Sequence, residues 1–235
     1  MITNGSFFSA DQDLEYYQEQ PTQPKTLDDL RHLTSSSLSS IHTRLFIERI
    51  GWGSDLLNSV INDDVVLFAK ESNKCSPDDL KELQLIAAFF SAKNVLSELH
   101  DNRGRILNIE TLNIALLSGS YIGDALNQFV NDQVRPTYNS IRYAIRSGQV
   151  DVLRDVLDRY NLKPGNEHLI GAALIGNNAM LLELINRGAV PEHDFLYVVA
   201  SRPGNEKIMD TLQHHFGDAD SQSLESNNTN GDRLD

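Results

Sequence analysis

The sequence predicts an all-α fold: an α-hairpin solenoid of about six repeats behind an N-terminal helical cap. Three observations predict it. Small residues recur at Ser59, Ala87, Ala115, Ala144, Ala172 and Ala200, with separations of 28, 28, 29, 28 and 28 residues. Four residues after each stand Asp63, Ser91, Gly119, Gly148, Gly176 and Gly204, so glycine fills the last four places, as a tight turn with positive φ favours. Each turn is followed by apolar residues at helical spacing, such as Val152, Leu153 and Val156 or Met180, Leu181 and Leu184. No convincing strand pattern interrupts them.

The clearest copy runs from Pro164 to Pro191. A first helix over 167–175 presents Leu169, Ala172 and Ala173 on one side, Gly176-Asn177-Asn178 breaks it, and a second helix follows over 179–187. Gly188 sits where a left-handed C-cap closes that helix, and Pro191 follows within three residues. A hairpin this short cannot bury its seam alone and must stack on neighbours. The other copies supply them. Three residues before the small slot stand Leu56, Gln84, Leu112, Ile141, Leu169 and Tyr197. Gln84 is the misfit, and adjacent Leu83 or Leu85 is expected to take its place. Second helices are expected at Leu67-Phe68, Val95-Leu96-Leu99 and Ile208-Met209-Leu212, with Ile122, Leu126 and Phe129 as equivalents where the spacing lengthens to 29.

Four segments follow from this reading. Residues 1–24 are polar and end in Gln-Pro-Thr-Gln-Pro, which predicts a flexible arm, although Phe7, Phe8, Tyr16 and Tyr17 are unusual for such a segment. Residues 25–53 hold two capping helices. Thr26 is the N-cap of the first, with carboxylates in its first turn. The second spans 41–50 with Leu45, Phe46 and Ile50 as its apolar residues, and Trp52 seals the cap. Residues 54–217 are the repeats. Residues 218–235, rich in Asp, Ser and Asn, predict a disordered acidic tail.

Composition narrows the function. The formal net charge of −13 disfavours nucleic acid and anionic membrane surfaces as partners. No run of 18 apolar residues exists to span a bilayer, and residues 1–20 lack the basic start and apolar core of a secretory signal. The single cysteine, Cys75, excludes an intramolecular disulfide and fits a reducing compartment. The seven histidines form neither an HxxxH nor an HExxH pair, and no phosphate loop, dinucleotide loop or nucleophile elbow occurs. No metal, no cofactor and no enzymatic activity are expected.

The Ala172–Gly176 stretch (AALIG) and Arg187-Gly188-Ala189 resemble the ankyrin repeat, and the resemblance extends over 54–217. The column spacing carries it. The family's Thr-Pro-Leu-His opening is missing, with Glu167-His168-Leu169-Ile170 in its place, and the period is about five residues short of the usual one. That implies a trimmed inter-repeat finger; a generic α-hairpin solenoid is the alternative. The chain is thus expected to be a cytoplasmic, non-enzymatic module, and the resemblance further implies that it binds another protein through a concave face formed by the two residues preceding each turn. Carried over column by column, these include Phe89 and Phe90, Leu117, Arg146, Leu174 and Ile175, and Arg202. They fit a helix or extended partner segment that is apolar with acidic flanks. In the competing account, Leu117, Leu174 and one of the two phenylalanines complete the core. Two other functions remain open: a secreted bacterial effector acting on a host protein in the host cytosol, with the tail as export signal, and an enzyme or ligand-binding module using a groove between cap and repeats.

Overall fold

The computed structural model of the 235-residue chain describes residues 26–30, 40–119, 134–191 and 199–217. The described residues contain helices and turns but no strand. The expected arm over 1–24, Ile122, Leu126, Phe129, Tyr197 and the tail over 218–235 lie outside them. The chain divides into two compact units, Met1–Leu162 and Lys163–Asp235.

The first unit opens on a helical turn over 27–30. Thr26 Oγ1 accepts from the Asp29 N–H at 3.2 Å, and an Asp29 carboxylate oxygen accepts from the Thr26 N–H at 2.6 Å. This reciprocal cap matches the expected helix start. Helix α1 (Ser40–Ile50) turns Phe46 and Ile47 inward but leaves Leu45 57 % exposed, so the apolar face lies one residue beyond the expected one. It packs on α2 (Asp55–Ile61) and α4 (Pro77–Phe90). Thr43 reaches Glu82 at 2.6 Å, and Arg49 pairs with Asp79 while lying over the Phe46 ring. Trp52 is half-buried.

The remaining helices of this unit are α3 (Val65–Glu71), α5 (Lys93–Asp101), α6 (Ile109–Leu117), α7 (Ser140–Arg146) and α8 (Val150–Tyr160). Helix α2 pairs with α3, α4 with α5, and α7 with α8 as sequential hairpins. First helices pack on first helices, α2 on α4, α4 on α6 and α6 on α7, and α3 packs on α5. In the second unit, α9 (Asn166–Leu174) pairs with α10 (Asn178–Asn186), which packs on α11 (Glu206–Phe216).

The sequence columns have physical counterparts. All six small residues, Ser59, Ala87, Ala115, Ala144, Ala172 and Ala200, are buried. All six turn residues have positive φ, from 53° at Asp63 and 57° at Ser91 to 90° at Gly204. The two columns belong to one device. In three hairpins the residue after the turn donates to the small residue's carbonyl: Asp64 to Ser59 at 2.8 Å, Ala92 to Ala87 at 2.9 Å and Asn177 to Ala172 at 3.0 Å. The turn residue itself donates to the next carbonyl, as Gly176 does to Ala173 at 3.1 Å. This left-handed closure satisfies carbonyls that a helix end otherwise leaves without partners. Gly188 closes α10 the same way, with φ 86°.

The position three residues before the small slot departs from expectation twice. Leu56 is half-buried while Leu57 is fully buried, a shift of one residue. Gln84 is 1 % exposed and keeps its own place, while the adjacent Leu83 and Leu85 are buried as well. Its Nε2 donates to Thr111 Oγ1 at 3.1 Å and to the Ile106 carbonyl at 3.3 Å, tying α4 to α6. A buried amide is tolerated there because the next hairpin supplies acceptors.

Candidate functional site

The positions expected to meet a partner lie at the C-terminal ends of the first helices, and burial separates them. In the first unit, Phe89 is fully buried and Leu117 is 3 % exposed, so both sit in the core, one of the two places the sequence had left open for them. The cause is local. Helix α6 packs between α4 and α7, and every residue from Thr111 to Ser118 is buried. A helix enclosed on this many sides has no free face at its end. Phe90 is half-buried and meets Phe89 edge-to-face, with ring centroids 5.2 Å apart. Arg146 ends α7 and is half-buried. In the second unit, Leu174 and Ile175 close α9, and Arg202 precedes the turn at Gly204; all three are half-buried.

Some residues just before the turns serve helix closure rather than a ligand. Ser118 Oγ donates to the Ala115 carbonyl at 2.8 Å and Ser147 Oγ to the Ala144 carbonyl at 2.6 Å. These bonds fold the hydroxyls back onto the small-slot carbonyl.

The slot immediately after the turn is the one that sequence reading missed. Asp64 caps α3 through the N–H groups of Val66 and Leu67, at 3.1 and 3.0 Å, and Asn177 caps α10 through that of Met180 at 3.1 Å. Asn205 instead reaches back to the preceding hairpin. Its Nδ2 donates to the Ala173 carbonyl at 3.0 Å and to the Val199 carbonyl at 3.1 Å, in an environment only 8 % exposed. Asp63, in the turn itself, bridges two hairpins: its carboxylate accepts from Asn94 N and Nδ2 at 3.2 and 2.9 Å and from Val95 N at 3.0 Å. The signal was present as polar residues at Asp64, Gln149, Asn177 and Asn205 in one register.

Titratable chemistry is sparse. Among the described residues, no three His, Cys, Asp or Glu side chains stand close enough to hold a metal ion. Burial pushes the Cys75 thiol up, reinforced by Asp79 and opposed by Arg103 and Arg49, which disfavours its thiolate. Arg103 spans Ala69 O, Ser72 Oγ and Asn73 Oδ1, each at 3.1 Å, and so pins the end of α3. His214 and His215 lie in the last turn of α11, with ring centroids 5.3 Å apart. Among the described residues, no helix is long and apolar enough to cross a membrane. Comparison with family models, with curated proteins and with solved structures finds no match to this chain.

Proposed function

We propose that the chain is a non-enzymatic protein-interaction module built of short ankyrin-like hairpins. The observation that carries this reading is the coincidence of two columns: a buried small residue and, four residues on, a turn of positive φ, in all six copies. Hairpins in one register present equivalent positions side by side, which suits recognition of an elongated protein segment. Partner contact belongs to the half-buried members of the pre-turn column: Phe90 and Arg146 in the first unit, and Leu174, Ile175 and Arg202 in the second. An aromatic ring and arginines are the side-chain types in which interface energy concentrates. Acidic flanks on the partner would complement the arginines, and the chain's overall net charge of −13 would reject other acidic surfaces.

The test begins with affinity capture by the full chain from a cell extract, followed by calorimetry with the purified partner. Arg146→Glu is expected to weaken binding by about tenfold, as is Arg202→Glu, each less so at high salt. Unchanged affinity for both variants at low salt would remove this column as the binding surface.

A further inference from the structure

Among the described residues, large apolar side chains are exposed at only six positions, and three of these share one edge of the first unit. Ile106 is 71 % exposed, Ile109 38 % and Tyr138 46 %. Ile109 and Tyr138 each lie six residues before the small slot of their hairpin, at Ala115 and Ala144, and Lys81 holds the same place before Ala87. Ile106 and Arg135 each lie nine residues before it. The helices behind them, α4, α6 and α7, pack in that order. Two contacts fix their common direction. Gln84 of α4 meets Thr111 of α6, and the Gln149 side chain after α7 lies against Gly119 after α6. The N-terminal ends of the three helices therefore line the same edge, and Lys81, Ile106, Ile109, Arg135 and Tyr138 decorate it.

The charge of this edge runs against that of the protein. Residues 102–109 and 134–139, which lead into α6 and α7, contain Arg103, Arg105 and Arg135 and no carboxylate, in a chain of net charge −13, although Arg103 is tied to the end of α3. Glu110, beside Ile109, is paired with Lys81 at 3.4 Å. An exposed apolar row with a basic rim fits a segment carrying aromatic and acidic side chains together.

Of the segments outside the described residues, 1–25 holds such side chains in the greatest number; 120–133 and 192–198 hold two aromatic and two acidic side chains each. Residues 1–25 hold Phe7, Phe8, Tyr16 and Tyr17 among Asp11, Asp13, Glu15 and Glu19, with Lys25 as the sole cation of its side chains. Residues 218–235 are acidic but contain no aromatic residue. A stretch of 25 residues can extend to about 80 Å, so reach does not limit contact. Covalent attachment supplies an effective concentration on the order of millimolar, enough to make a weak site occupied. We propose that residues 1–25 dock on the Ile106–Ile109–Tyr138 edge, aromatic groups on the apolar row and carboxylates toward Arg135 and its neighbours. This goes beyond the partner-binding column, which lies at the opposite ends of the same first helices.

The test uses the full chain throughout. A variant with Phe7, Phe8, Tyr16 and Tyr17 all changed to Ser is compared with the parent by hydrogen exchange. Amides over 104–109 and 134–139 should exchange faster in the variant, with the repeat helices unaffected. A labelled synthetic peptide of residues 1–25 should then bind the four-serine variant at least about tenfold more tightly than the parent, whose own segment competes. Adding Ile106→Glu to the four-serine variant should abolish peptide binding. That site is 71 % exposed, so the fold should survive, which circular dichroism checks. Identical exchange in the two proteins, or peptide binding indifferent to Ile106→Glu, would overturn the proposal. It would assign the edge to another molecule or to solvent. Neither result bears on Arg146 or Arg202.

Discussion

Gly119 shows how much one position can be asked to do. Its φ is 65°, and an added Cβ would come within 2.2 Å of Gln149 Nε2 from the following hairpin. An alanine must therefore adopt a left-handed conformation, at about 1–2 kcal/mol, and also displace Gln149. Because the obstructing atom ends a flexible side chain, the second cost should be the smaller. Gly119→Ala is expected to destabilise by roughly 1–2 kcal/mol in urea unfolding. Combining it with Gln149→Ala should recover the part due to displacement, and strict additivity in that cycle would mean that the two residues do not touch. Such a glycine was legible in the sequence because its requirement is written in one letter at one spacing. For Phe89 and Leu117 the sequence left core and partner face open. An apolar residue at a helix end reads the same whether a partner or a neighbouring helix covers it, and α6 is enclosed between α4 and α7. Gln84 was misjudged for the converse reason: its acceptors, Thr111 and the Ile106 carbonyl, come from the next hairpin.

Among the elements, two carboxylates couple neighbouring helices in different ways. Asp63 has φ 53° and caps the start of α5 from the preceding hairpin's turn. Asp63→Gly would relieve about 1 kcal/mol of left-handed strain. It would also remove a cap and a helix-terminal charge, together about 1–3 kcal/mol. The loss should win, leaving the variant less stable by about 1 kcal/mol; a gain in melting temperature would show that the inter-hairpin cap contributes nothing. Asp79 belongs to the capping box of α4 and pairs with Arg49 of α1. Burial alone would raise its carboxyl, but the Ser76 N–H and the Arg49 guanidinium outweigh burial and hold it below the usual carboxylate range. A depressed pKa stabilises the fold above the unfolded value near 4, and that contribution is lost as pH falls through the folded value. Asp79→Asn should therefore be less stable than the parent at pH 7, with the difference closing below about pH 4. A gap independent of pH would assign the effect to packing instead. The helix start at Thr26 was readable from sequence as a capping residue with a carboxylate three positions on, whereas the one at Ser76, written the same way, was missed. Asp63's role was not, because its partners Asn94 and Val95 lie 31 and 32 residues away.

For the molecule as a whole, the question is whether stability is shared by the entire first unit or held between neighbours. Ala144 is fully buried where α7 meets its surroundings, and Ala144→Glu would place a carboxylate in the core there. The cost should be several kcal/mol, comparable with the total stability of many domains. In a stack of hairpins each copy leans only on adjacent copies, so the damage should stay local. Helix α7 should lose amide protection together with α6 and α8, which pack on it, while α2 and α3 keep theirs. Ala172→Glu makes the same demand within the second unit, where α9 pairs with α10 and α10 packs on α11. Hydrogen exchange resolved by peptide, below the melting temperature of each variant, separates the alternatives. If Ala144→Glu strips protection evenly from α1 to α8, the first unit is one cooperative block and the hairpin-array reading fails. If no helix loses protection, the small slot is not a close contact, and the 28-residue column has lost its physical meaning. Graded loss centred on α7 is the outcome that a helical repeat requires, because only nearest neighbours transmit the strain.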